Sequence, residues 1–132
     1  GAAAAFGQIS SSYINTSVVA WSVSTEAQNG YSVYAQTDGG LRTGARTLSG
    51  VCDGTVTAGS EEYGARSSDT SLSGSTFDTQ DTAPSTTAQL VGSRSSSAYE
   101  SKDFLVLKAS RTSDTTGVSY AQVLSLIAAS NF

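Results

Sequence analysis

Histidine and methionine are missing from this 132-residue chain, and cysteine, proline and tryptophan occur once each. Each absence removes a class of function. Without imidazole there is no Ser-His-Asp or Cys-His nucleophile, and zinc is left with too few of its preferred ligands. Cys52 has no partner for an internal disulfide in any redox environment; it reads as a small buried apolar residue, with an intermolecular disulfide as the alternative. Seven Lys and Arg, scattered from Arg42 to Arg111, stand against eleven Asp and Glu and leave a net charge of -4. With no basic patch, the composition argues against nucleic acid as a partner. No apolar run reaches 18 residues, so membrane insertion of the chain is not expected.

Short hydroxyl side chains fill the place of the missing chemistry, with Ser and Thr supplying 41 of 132 residues. Hydrophobic residues at 38% and charged residues at 14% are the proportions of a folded chain rather than a disordered one. At this length one compact core is expected, burying roughly two thirds of the unfolded surface. Abundant Gly, Ser, Thr, Ala and Tyr beside scarce Lys, Met, His and Cys is the composition of an exported, cell-surface protein. A start at Gly1, with no basic or long apolar leader, reads as a processed mature chain, an expression scar being the alternative.

Apolar residues recur at period 2 and almost nowhere at helical spacing, which predicts an all-β fold: a single antiparallel β-sandwich, Ig-like or jelly-roll-like. Asn15 to Thr25 alternates Val19, Trp21 and Val23 with smaller residues, and Tyr31 to Thr37 sets Tyr31, Val33 and Ala35 on one face. Asn29-Gly30 is a turn signal between them. A two-residue hairpin would aim the two apolar sets at opposite faces, so burying both needs an extra loop residue, a bulge or strands in different sheets, and different sheets are expected. From Asp38 to Ser101, apolar pulses at 48–51, 56–58, Leu72, Phe77 and 88–91 suggest short strands joined by tight turns, with Pro84 in a loop or on an edge. Asp103 to Ser110 and Val118 to Ala129 are the strongest strands, separated by a polar turn. Both carry apolar groups on each face, so either a few hydrophobics face solvent or something covers the second face.

The first fourteen residues are mostly small or apolar: Ala2, Ala3, Ala4, Ala5, Phe6, Ile9 and Ile14. The segment 1–14 is therefore expected as an extension from a sandwich domain at 15–132. It suits an extended strand donated to a neighbouring subunit, where main-chain hydrogen bonds give affinity and alternate side chains set register. An intramolecular first strand is the alternative.

Three stretches carry a resemblance: Thr25 to Val33 (TEAQNGYSV), Asp53 to Gly64 (DGTVTAGSEEYG), and the ending from Gly117 to Val123 with Ala128 to Phe132. Together, about a quarter of the chain resembles small secreted β-rich bacterial surface proteins. In plan it is similar to pilins that polymerise by donor-strand complementation. It departs from type IV pilins, which need a long apolar N-terminal helix. The resemblance implies a homopolymer with no enzymatic activity, and it brings no catalytic residue or cofactor.

The remaining candidates are minor. Glu61-Glu62, or Asp78 with Asp81, are the carboxylate pairs available for glycoside chemistry, but adjacent Glu residues point to opposite faces of a strand or form a solvated tip. Asp69, Asp78 and Asp81 are hard loop ligands for calcium without EF-hand spacing, so no metal site is assigned. Asn15-Thr16-Ser17 is a glycosylation sequon. The leading expectation is a structural subunit of an extracellular filament or surface layer. Its alternative is a carbohydrate-binding or adhesion module for host or cell-surface glycans, with Trp21, Tyr13, Tyr31, Tyr34, Tyr63, Tyr99 or Tyr120 as stacking surfaces.

Overall fold

A computed structural model describes residues 2–8, 10, 12–43, 46–112 and 119–131. Among these the chain is all β, with no helix: β1 (Ala2–Gln8), β2 (Asn15–Thr25), β3 (Tyr31–Thr37), β4 (Arg42–Thr43), β5 (Arg46–Thr47), β6 (Glu62–Ser67), β7 (Gln89–Arg94), β8 (Ala98–Ser110) and β9 (Ser119–Ser130). They form two antiparallel sheets, consistent with a β-sandwich. The larger runs β5-β4-β9-β3-β7, with β1 also paired to β9; the smaller is β2-β8-β6.

The alternation of β2 and β3 decides this arrangement. Val19, Trp21 and Val23 face inward from the smaller sheet, and Tyr31, Val33 and Ala35 face inward from the larger one. The two strands thus lie in different sheets, the arrangement expected from the parity of their apolar sets. Gly30 makes the connection: its φ of 76° is left-handed, and a Cβ there would strike the Arg94 carbonyl. Gly92 on β7 leaves room for the Trp21 ring, which sits 2.9 Å from where a Cβ would be.

Between the sheets, Tyr31, Val33, Ala35, Val91 and Leu124 meet Ala65, Leu105 and Leu107, with Phe77 entering from a loop. A second cluster joins Leu41, Leu48, Tyr63, Ala109 and Tyr120. Both late strands behave as two-faced. On β8, residues Leu105, Leu107 and Ala109 are buried while Phe104 is exposed; on β9, Tyr120 and Leu124 are buried while Val123 and Ile127 are exposed.

The middle of the chain differs from expectation. The pulses at 48–51, 56–58, Leu72 and Phe77 are not strands; Leu48, Val56 and Phe77 reach the core from loops. Instead, β6 begins at Glu62, the second residue of the paired acids. Its burial does not alternate, because Val51 and Thr82 close over Gly64 from the outside. Glu62 accepts the Thr57 N–H at 2.8 Å and so pins the turn before the strand. Pro84 lies in a loop and accepts the Tyr63 hydroxyl. Cys52 is exposed in the turn after Val51, not buried, because its neighbours Asp53 and Gly54 form the bend.

Buried carboxylates hold these loops down. Asp81 accepts the Val56 N–H at 2.9 Å and the Lys108 ammonium at 2.9 Å, with Arg66 at 3.4 Å. Asp69 accepts the Ser71 N–H and hydroxyl, the Ser93 N–H and Arg94. Arg94 on β7 also donates to Asp103 on β8, joining the two sheets. Since Leu107 is fully buried between the sheets, Leu107→Ala is expected to cost about 3 kcal/mol. Urea denaturation of the two proteins measures the difference.

Candidate functional site

The segment expected as a donor is a strand. β1 pairs antiparallel with β9 of its own chain, Ala2 opposite Leu124, Ala3 opposite Val123, Ala4 opposite Gln122 and Ala5 opposite Ala121. A bulge follows: Gly7 faces Tyr120, so Phe6 is the extra residue and has no partner in the register. Ile9 falls outside the described residues. Ile14 is 36% exposed in the loop before β2. In the single chain the segment is therefore the intramolecular first strand, docked on the side of β9 that faces away from β3.

The two lateral sides of the sandwich are finished differently. On one side, the chain from Ser49 to Phe77 and Thr82 caps the sheets. Along the outer edge of β6, Tyr63 donates its N–H to the Ser49 carbonyl and accepts the Val51 N–H on its own carbonyl, and Thr82 and Ala65 exchange backbone hydrogen bonds. Side chains of Ser75, Ser67 and Asp69 satisfy Leu90, Val91 and Ser93 on β7. On the other side lie β1, β9 and β2, and the closure stops short. β1 ends its pairing at Leu124, so no described residue pairs with β9 from Ser125 to Ser130 on that side. Along all of β2, likewise, only β8 is paired. An edge of this kind presents every second N–H and C=O outward.

Charge marks the same side. Residues 1–25 and 115–132 contain no Asp, Glu, Lys or Arg, so β1, β2 and β9 are wholly uncharged. Edge strands are ordinarily blunted with Lys or inward charges, and none is present here. Val18 on β2 is 60% exposed, and Val123 and Ile127 on β9 are 44% and 47% exposed. Periodicity alone missed this feature; its signal in the sequence is the two charge-free termini.

One ionic clamp sits beside the edge strands. Asp38 follows β3 and extends its ladder, donating its N–H to the Val123 carbonyl and accepting the Val123 N–H on its carboxylate at 3.0 Å. Arg42 at the start of β4 donates to both oxygens, at 3.1 and 2.8 Å. The Arg42 hydrogen bonds first, and the Val123 N–H second, hold the Asp38 carboxyl down at about 2. Behind it, Gln122 is buried and donates to the Gly39 carbonyl at 3.0 Å.

The other predicted residues are distributed as follows. Asn15 opens β2, and its Oδ1 accepts the Ser10 N–H at 2.9 Å. Asp69 and Asp81 are engaged by the protein donors already described, and Asp78 accepts the Leu72 N–H. Among the described residues no group of three acidic or Cys side chains is placed to hold a metal. Tyr31, Tyr63 and Tyr120 are core residues, and Trp21 faces the core. Of the predicted rings, Tyr13 and Tyr99 are exposed, at 61% and 83%, and Tyr34 is partly buried. Tyr99 owes its position to a second irregularity. The β2–β8 register passes from Val23/Ser101 to Thr25/Ala98, setting Tyr99 and Glu100 against Ser24 alone. Glu100 takes a left-handed φ of 49°, rare for a residue with a Cβ, and donates its N–H to the Ser24 hydroxyl at 2.8 Å.

Comparison of the chain with protein families, curated proteins and solved structures finds no match.

Because the Asp38 carboxyl titrates below its ordinary value, the folded state binds fewer protons than the unfolded one. Its contribution is complete above about pH 4 and disappears as pH falls through about 2. Asp69 acts in the same direction: burial alone would raise its carboxyl, but the Ser71 and Ser93 bonds and Arg94 outweigh burial and lower it. Protection of the Val123 amide from exchange, taken relative to its intrinsic rate at each pH, should therefore fall as pH drops through that window, and Asp38→Asn should remove most of that dependence. For the strained bulge, Glu100→Gly is expected to stabilise the fold by ~1 kcal/mol, read as a higher thermal midpoint.

Proposed function

We propose that this protein is a structural subunit of an extracellular filament or surface layer, assembled by exchange of β1 between neighbouring copies. In this reading β1 leaves its own β9 and takes the same register on the β9 of the next subunit. The fold is then an Ig-like or jelly-roll-like sandwich with a donated first strand, and the work of the protein is assembly rather than catalysis.

The observation that carries the reading is the contrast between the two sides of the sandwich. One side is capped by the chain's own loops; the other ends in three uncharged strands whose outer backbone no described strand pairs, with Val18, Val123 and Ile127 exposed. Exchange costs little, since identical pairs re-form and only the short connection before β2 changes course. That connection is exposed at Tyr13. Association gains whatever apolar surface the neighbour covers, at about 25 cal/mol per Å². Without β1, moreover, the full length of β9 would become an open edge, a state that a second copy's strand relieves. The hydroxyl-rich composition without His or Met supports a place outside the cell.

Register supplies the test. Ala3 and Val123 are direct partners. In a Cys52→Ser background, Ala3→Cys with Val123→Cys should form an intramolecular disulfide in dilute protein, and that locked form should stay monomeric. Reduced and concentrated, the same protein should form fibres visible in negative stain. Oxidising the fibres should give a ladder of covalent oligomers on a denaturing gel. Wild-type protein that remains monomeric at millimolar concentration, or fibres that oxidise only within single chains, would overturn the proposal.

A further inference from the structure

Where β2 ends and β8 begins, Ser24, Thr25, Glu26, Ser97, Ala98 and Tyr99 line an open groove of about 630 Å³. That volume is typical of small-ligand sites. We infer that this groove binds a pyranose unit of a glycan.

Tyr99 is the platform. At 83% exposure its ring is nearly bare, and β8 places it there at the expense of a two-for-one bulge and a left-handed Glu100. Strain of this kind in a residue that is not glycine persists where the surroundings enforce it, and it concentrates at binding sites. Here the enforcing contact is the Glu100 N–H bond to the Ser24 hydroxyl.

The lining around that ring has the composition a sugar needs. One face of a pyranose is a row of C–H groups that lies flat against an aromatic ring, while its rim of hydroxyls calls for mixed donors and acceptors. The Ser24 hydroxyl accepts from Glu100 and keeps its own proton to donate. Ser97 supplies a second hydroxyl. Glu26 supplies a carboxylate that makes no ion pair among the described residues, a strong acceptor for sugar hydroxyls. The same carboxylate disfavours phosphate and sulfate groups, so the sugar is expected to be neutral. Thr25 is held in place by the Ala27 N–H and the Ser130 hydroxyl and forms part of the rigid wall.

The test is an NMR titration of the isotope-labelled full chain, kept dilute enough to be monomeric, with cellotetraose, chitotetraose and mannotetraose up to about 10 mM. At least one of them should shift the amides of Glu26, Ala98 and Tyr99 in a saturable way. Tyr99→Ala should weaken that binding about tenfold or more, and Tyr99→Phe should keep it within about threefold, since the ring face rather than the hydroxyl carries the contact. Both variants should assemble as wild type does, which separates this site from the β1 exchange. The inference fails if no oligosaccharide shifts these amides, if Tyr99→Ala binds as well as wild type, or if the groove answers only to tetralysine.

Discussion

Every strand in a sheet has two rows of backbone groups to satisfy, and the structure turns on how β9 meets that demand. On one side it pairs with β3 from Leu124 to Ser130, and Asp38 and Arg42 extend the contact toward its start. On the other side, among the described residues, β1 alone pairs with it, over Ser119 to Leu124. The ladders of β1 and β3 overlap at Leu124, which is fully buried. The rest of the larger sheet is organised outward from this strand, whose inner face supplies Tyr120 and Leu124 to both core clusters.

The opposite side of the molecule reaches closure by polar means. A chain with one Cys cannot staple a long loop with disulfides, and the stretch between β5 and β7 has few apolar anchors. Asp69, Asp81 and Asp103 take over that role: Asp69 collects backbone, hydroxyl and Arg94 donors, Asp81 the Val56 N–H with Lys108 and Arg66, and Asp103 the Ser68 hydroxyl with Arg94. Buried carboxylates satisfied in this way fix geometry, because losing one donor leaves the others around an uncompensated charge. Four of the seven scattered basic residues thus have carboxylate partners: Lys108 and Arg66 on Asp81, Arg94 on Asp69 and Asp103, Arg42 on Asp38.

Legibility in the sequence followed burial symmetry. β2 and β3 alternate because each buries one face, and their limits read directly from Asn15 to Thr25 and Tyr31 to Thr37. β8 was legible at Asp103 to Ser110 but not at Ala98 to Lys102, where the bulge at Tyr99 and Glu100 breaks the period. β6 escaped because loop residues bury both its faces around Gly64, and a Glu-Tyr-Gly-Ala start carries no alternation. For the candidate site, the composition of 1–14 pointed to an extended strand. Which chain it would pair with depends on long-range register to β9, and no local pattern encodes that.

The charge-free character of β1, β2 and β9 has an environmental corollary. Contacts made through such strands carry no ion pairs of their own for dissolved electrolyte to screen, so salt does not weaken them by that route. They rest on apolar burial and main-chain bonding, and the apolar share weakens on cooling. A material built from this edge would hold together in brine and loosen in the cold.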